Sequence, residues 1–92
     1  MKYEIQRTTQ FRRDVKAAIK RGYDLKKLHT VITLLANGEP LPEEYHNHPL
    51  SGKPYQGYWE CHIEPDWLLV YKITKSVLIL SLYRTGTHSD LF

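Results

Sequence analysis

Two apolar runs, Trp67–Thr74 and Val77–Arg84, constrain this chain more than anything else in it. The first reads Trp-Leu-Leu-Val-Tyr-Lys-Ile-Thr and the second Val-Leu-Ile-Leu-Ser-Leu-Tyr-Arg. Both are rich in the branched and aromatic side chains that suit a pleated surface, and only Lys75-Ser76 separates them. They predict an antiparallel hairpin near the centre of a sheet. A hairpin alone is marginal in water, so the rest of the chain must cover it. With 92 residues in all, there is room for one domain, residues 1–92, and one modest core.

The preceding segments supply the cover. Lys2 to Arg7 sets Tyr3, Ile5 and Arg7 against Lys2, Glu4 and Gln6, a short first strand. Thr8 or Thr9 is suited to cap a helix in which Phe11, Val15, Ala18 and Ile19 share a face. Gly22 ends it. Asp24 caps a second helix with a stripe of Leu25, Leu28, Ile32 and Leu35, closed by Gly38. So few residues join the two that they form an antiparallel helical hairpin. From Asn37 to Gly57 periodicity disappears, and Pro40, Pro42, Pro49 and Pro54 mark a long loop, with Leu41, Tyr45 and Leu50 available to pin it. Tyr58 to Glu64 then alternates Trp59, Cys61 and Ile63 against Tyr58, Glu60, His62 and Glu64, which puts His62 on the more polar face. Glu64-Pro65-Asp66-Trp67 is a tight turn with proline at its favoured position. The expected fold is α+β: an N-terminal strand, a two-helix antiparallel hairpin, then three antiparallel strands in a twisted sheet, with a short C-terminal tail. The helices pack on one face of an antiparallel sheet.

Charge narrows the partners. Residues 1–33 hold nine Lys/Arg against Glu4, Asp14 and Asp24, while the remainder holds four against seven acids. A basic half on so small a domain points to a polyanionic surface, RNA or DNA before others. No apolar run approaches the roughly 20 residues that span a bilayer. The start, Met1-Lys2-Tyr3-Glu4-Ile5-Gln6-Arg7, has no apolar signal core, and the single Cys61 excludes an intrachain disulfide. A cytoplasmic location and no membrane partner are expected. Cys61, alternating with Trp59 and Ile63, reads as a small core residue.

Chemistry-bearing residues converge by connectivity. His62 and Asp66 lie at one end of a hairpin. The last strand runs antiparallel to its predecessor, so Arg84 returns toward Asp66, and His88 follows one turn later. The long loop carrying His48 leads into the strand of His62. A polar cluster at one end of the sheet is expected.

The residues His48-Pro49-Leu50 with Gly52, His62-Ile63-Glu64-Pro65-Asp66-Trp67, and Arg84-Thr85-Gly86-Thr87-His88 followed by Leu91-Phe92 also carry a likeness. The chain resembles the YafQ branch of the RelE/ParE superfamily of bacterial type II toxins. The helical hairpin and Leu34-Leu35 with Pro40-Leu41-Pro42 fit as well, so the likeness covers nearly all of the chain. The resemblance implies a RelE-like fold and a ribosome-dependent mRNA endonuclease without metal or other cofactor. Its partners would be the ribosome (decoding site and ribosomal RNA), mRNA and a cognate antitoxin, with DNA met only through the antitoxin complex. Matching positions are His48, His62, Asp66, Arg84 and His88 as catalytic residues, and Trp67 and Phe92 as substrate-binding ones.

The chemistry asked of such residues is simple. Metal-free RNA cleavage uses the ribose 2′-OH to attack the adjacent phosphate. It needs a base for that proton, an acid for the departing 5′-oxygen and positive charge on the phosphate. Histidine can take either proton role near neutral pH, and arginine's fork matches phosphate oxygens. Arg84 is the phosphate clamp and His88 the general acid; Asp66 or His48 is the base, with His62 positioning or sharing that role. Trp67 and Phe92 would hold a splayed base or wall the pocket, although Trp67, at a strand start, reads equally as a core residue. Arg12, Arg13, Lys16, Lys20, Lys26 and Lys27 form a basic helical face for ribosomal RNA.

Two rival readings come with these residues. One is a metal-dependent hydrolase using His46, His48, His62, Asp66 and His88, whose donors suit zinc but whose spacing matches no standard site. The other is a non-catalytic toxin on the same fold, like the superfamily members that block gyrase.

Overall fold

The computed structural model describes residues 1–92. Strand β1 (Glu4–Arg7) leads into α1 (Thr9–Lys20) and α2 (Leu25–Ala36). After the long loop come β2 (His48–Pro49), β3 (Trp59–Glu64), β4 (Trp67–Thr74), β5 (Ile79–Gly86) and a one-turn helix α3 (His88–Leu91). The sheet order is β1-β5-β4-β3-β2. The α+β architecture therefore has the expected elements, with one correction to the sheet. β1 pairs with β5 in parallel, Glu4 opposite Ile79 and Arg7 opposite Leu82, so the sheet is mixed. Parallel pairing needs a long crossover, and here the entire intervening chain supplies it.

Local chemistry sets the helix ends. The Thr8 hydroxyl accepts from Phe11 N–H (2.9 Å), and Asp24 accepts from Lys26 N–H (3.0 Å), so both helices start on side-chain caps. The inward faces of α1 and α2 bury Phe11, Ala18, Leu28, Val31 and Leu35 against Cys61, Trp67, Leu69, Leu80 and Leu82 of the sheet. Ile19, expected on that stripe, is instead exposed, while Ala18 beside it is buried.

The second sheet face is covered too. Leu68, Val70 and Leu91 form a smaller apolar cluster with Leu50, Tyr55, Tyr58 and Tyr83. The long loop and α3 therefore close the face opposite the helices. Leu41 and Tyr45 pin the earlier part of the loop to the main core, and its His48-Pro49 pairs with β3 as a two-residue edge strand.

Two departures lie in β5. It begins at Ile79, because Lys75–Leu78 make a four-residue turn with Leu78 at φ 54°. Lys-Ser lacks the Gly or Asn that a two-residue hairpin turn requires, so the loop is longer. Further on, Tyr71 faces Leu82 while Val70 faces Arg84, which leaves Tyr83 as a bulge. Bulges re-aim side chains, and the residue after this one is Arg84.

Candidate active site at the end of the sheet

The turn between β3 and β4 presents Asp66 to the start of α3. Its Oδ1 accepts the His88 backbone N–H (3.0 Å) and lies 2.8 Å from the same residue's Nδ1. Because the carboxylate can only accept, Nδ1 carries the proton and Nε2 is left free for proton transfer. The backbone hydrogen bond from His88, then its ring, hold the Asp66 carboxyl below its usual range. Thr87 and Asp90 exchange reciprocal hydrogen bonds as a capping box, and Arg21, the C-cap of α1, grips Asp90 at 2.6 Å. Gly86 has no room for a side chain here, since a Cβ would sit 2.8 Å from Asp90 Oδ2.

His62 is the centre of the cluster. Its ring centroid lies 5.9 Å from that of His88, 6.3 Å from His48 and 5.7 Å from His46. Between His48 and His62 stands Glu60, only 4% exposed. One oxygen, Oε1, is 3.2 Å from His48 Nε2 and 3.4 Å from His62 Nε2. The other ring nitrogens face carbonyls, His48 Nδ1 that of Pro49 (3.2 Å) and His62 Nδ1 that of Pro65 (3.3 Å). A neutral imidazole has one N–H and can serve only one of its two acceptors, whereas an imidazolium serves both. A cleft of about 690 Å³ opens beside these rings, lined also by Lys27, Glu44 and Tyr45.

Arg84 projects toward α1. Its Nε and Nη2 donate to the two oxygens of Asp14, each at 3.0 Å, and this pairing raises its already high pKa. Neither Glu60 nor Glu64 is its partner: Glu60 serves the histidines and Glu64 takes Lys27 at 2.9 Å. The aromatic tail is braced by the long loop. Tyr55 donates to the Leu91 carbonyl (2.7 Å) and packs edge-on against Phe92 (5.0 Å), whose ring is 59% exposed.

Trp67 requires a correction. Expected to touch RNA, it is 1% exposed, packs on Tyr23 at 4.8 Å and donates Nε1–H to the Thr85 hydroxyl at 2.9 Å. An indole with its polar group satisfied inside is a core residue. Of the five donors in the metal rival, His48 and His62 fall in one group of three possible ligands, whose third member is Glu60; their ligand atoms lie within 4.8 Å of one another. Nitrogen and carboxylate donors of that kind suit zinc or copper. Asp66 is occupied by His88 instead. Cys61 is buried as expected, and burial pushes its thiol up to about 12.

Residues 3–92 match the sequence profile of a family described as the bacterial toxin of a type II toxin–antitoxin system, YafQ. The chain belongs to the YafQ toxin family. Among YafQ proteins, the mRNA interferase toxin YafQ of Escherichia coli K12 is 47% identical over 90 residues, 97% of this chain and 95% of that one. The toxin in the crystal structure of the E. coli DinJ-YafQ complex superposes with a TM-score of 0.89 at 46% identity, covering 98% of both chains. A metal-bound toxin from Helicobacter pylori superposes at 0.91 with 43% identity, over 98% of this chain and 99% of that one.

Three site residues escape a reading of the sequence: Glu60, Asp14 and Tyr55. Glu60 had a signal, since it sits two residues from His62 and strand alternation puts both on one face. Asp14 is the one acid in an otherwise basic helix. Tyr55 is an aromatic in a loop of prolines and glycines.

Proposed function

We propose that this toxin is a ribosome-dependent mRNA endonuclease, metal-independent, and silenced by a cognate antitoxin. The observation that carries this reading is the His88–Asp66 pair facing the His48–Glu60–His62 group across a single sheet end. One half can deliver a proton and the other can take one. The E. coli relative's designation as an mRNA interferase, and its complex with DinJ, support the substrate and the partner.

His48, oriented through Nε2–H by Glu60, accepts the ribose 2′-OH proton at Nδ1 once the substrate displaces the Pro49 carbonyl from that nitrogen. The 2′-oxygen bonds to phosphorus and the P–O5′ bond breaks. His88 enters the step as the imidazolium, with Nδ1–H on Asp66, and gives its Nε2 proton to the leaving 5′-oxygen, ending neutral as His48 becomes charged. His62 lies between them and shares the Glu60 carboxylate with His48, while Arg84 steadies the phosphate. Products are a 2′,3′-cyclic phosphate and a 5′-hydroxyl. Asp66 holds His88 rather than serving as base, since its Oδ1 already accepts twice. Phe92, open on its outer face, stacks a base. Arg12, Arg13, Lys16, Lys20 and Lys26, all exposed, face ribosomal RNA, with Lys27 shared with Glu64.

The test is cleavage on programmed ribosomes by wild type, His88→Ala and Arg84→Ala. Loss in the variants is expected, and intact transcripts with wild type would sink the proposal. A metal ion is the second reading, favoured by the His48–Glu60–His62 convergence and by the metal-bound H. pylori toxin. It would take the Nε2 atoms of His48 and His62 that Glu60 otherwise engages. Cleavage unchanged by EDTA is expected; cleavage abolished by EDTA and restored by zinc would favour the metal.

A further inference from the structure

A guanidinium has two usable edges. The side edge carries Nε–H and one Nη2–H; the end edge carries the Nη1 hydrogens and the other Nη2–H. In Arg84 the side edge is filled completely by Asp14, at 3.0 Å on both contacts. We propose that Asp14 is a positioning residue, which locks Arg84 by its side edge so that only the end edge meets the scissile phosphate. The inference rests on the nuclease reading above.

Several observations converge on Asp14. It sits in the middle of α1, among Arg12, Arg13 and Lys16, yet pairs with none of them. Its side chain is 8% exposed and turns inward to β5. Both oxygens are saturated: Oδ2 also accepts the Thr85 backbone N–H (3.1 Å), and Oδ1 the Gln10 side-chain amide (3.0 Å). Thr85 is itself fixed by Trp67 and by the Leu68 carbonyl. The carboxylate is thus held from both helix and strand, and the guanidinium plane has little freedom to rotate. A long flexible side chain is converted into a rigid two-pronged donor before substrate arrives. Charge offers a second consequence. With Asp14 neutralising much of its field, Arg84 discriminates phosphate by geometry more than by attraction, so loss of the lock should appear in turnover before affinity.

The discriminating variants are Asp14→Asn and Asp14→Glu, assayed by single-turnover cleavage on programmed ribosomes beside melting temperature and ribosome binding. Asp14→Glu keeps the ion pair but displaces the guanidinium by about one methylene, and a shift of about 1 Å can cost ~10²-fold in rate. Both variants are expected to bind ribosomes as wild type does and to cleave at least about tenfold more slowly at saturation. In an Arg84→Ala background, Asp14→Glu should change the rate less than about twofold, since coupled residues are non-additive. The Arg84 Nε–H resonance of the free toxin, sharp in wild type, should broaden in Asp14→Asn. Wild-type turnover in folded Asp14→Glu, or losses that multiply in the double variant, would overturn the role. Absence of cleavage by wild type itself would strike the nuclease reading instead.

Discussion

A histidine works as a general acid when one nitrogen is held and the other is free. Asp66 does the holding for His88, through a carboxylate that also receives the backbone N–H of the same residue. His88→Ala should therefore lower cleavage by about 10² to 10⁴-fold while leaving ribosome binding intact. Glu60→Gln should be nearly as damaging, since an amide NH2 would confront two imidazole nitrogens where a shared acceptor stood. Single-turnover rates on programmed ribosomes check both, and wild-type turnover in either variant would remove that residue from the mechanism. At this scale the sequence was most legible where chemistry and connectivity agreed. His48, His62, Asp66 and His88 converge as expected because a strand end, a turn and a loop entry must meet there. Trp67 misled because a tryptophan at a strand start has the same letter whether it faces solvent or Tyr23. Asp14 was hidden because its partner, Arg84, is seventy positions away.

Element α3 is too short to hold itself together. One turn of helix gains its order from Asp66 at its first N–H, the Thr87–Asp90 box and the Arg21 grip. Asp90 is held below the ordinary carboxylate range by Arg21 first and by the Thr87 N–H next, and Asp66 by His88. Both folded values are depressed. Their stabilisation is therefore complete above the unfolded value of about 4 and is lost as pH falls below it through the folded values. Amide exchange at Thr87, His88 and Asp90 should accelerate in that acid window while β4 and β5 stay protected; unchanged protection there would refute the anchoring. The tail divides into two functions. Leu91 is buried with Leu68 and Val70, so Leu91→Ala should cost about 2–5 kcal/mol in chemical denaturation. Removing Phe92 alone should leave the melting temperature nearly unchanged and slow cleavage. A variant without Phe92 that cleaves normally would show the ring is not a base platform. The helical hairpin and the β4–β5 pair were readable from periodicity. The parallel seat of β1, the β2 edge and the Tyr83 bulge were not, because they depend on register between distant segments rather than on local pattern.

For the whole molecule, the sheet is covered by helices on one face and by the loop and tail on the other, which leaves its Asp66 end open. The excess positive charge of the first 33 residues is carried by exposed α1 and α2 side chains. Ribosome affinity should fall steeply with salt, and Arg12→Glu with Lys16→Glu should flatten that slope as counterion release is lost. A slope unchanged by the substitutions would move the RNA-facing surface elsewhere. We propose that the cluster cleaves RNA through the 2′-OH, with His88 as the acid. This is tested most directly by mapping the chemical ends of an mRNA bound in the ribosomal decoding site and exposed to this toxin. Expected are a 2′,3′-cyclic phosphate or 3′-phosphate upstream, a 5′-hydroxyl downstream, and neither with His88→Ala. A 5′-phosphate with a 3′-hydroxyl, or the same ends at full yield from His88→Ala, would contradict it.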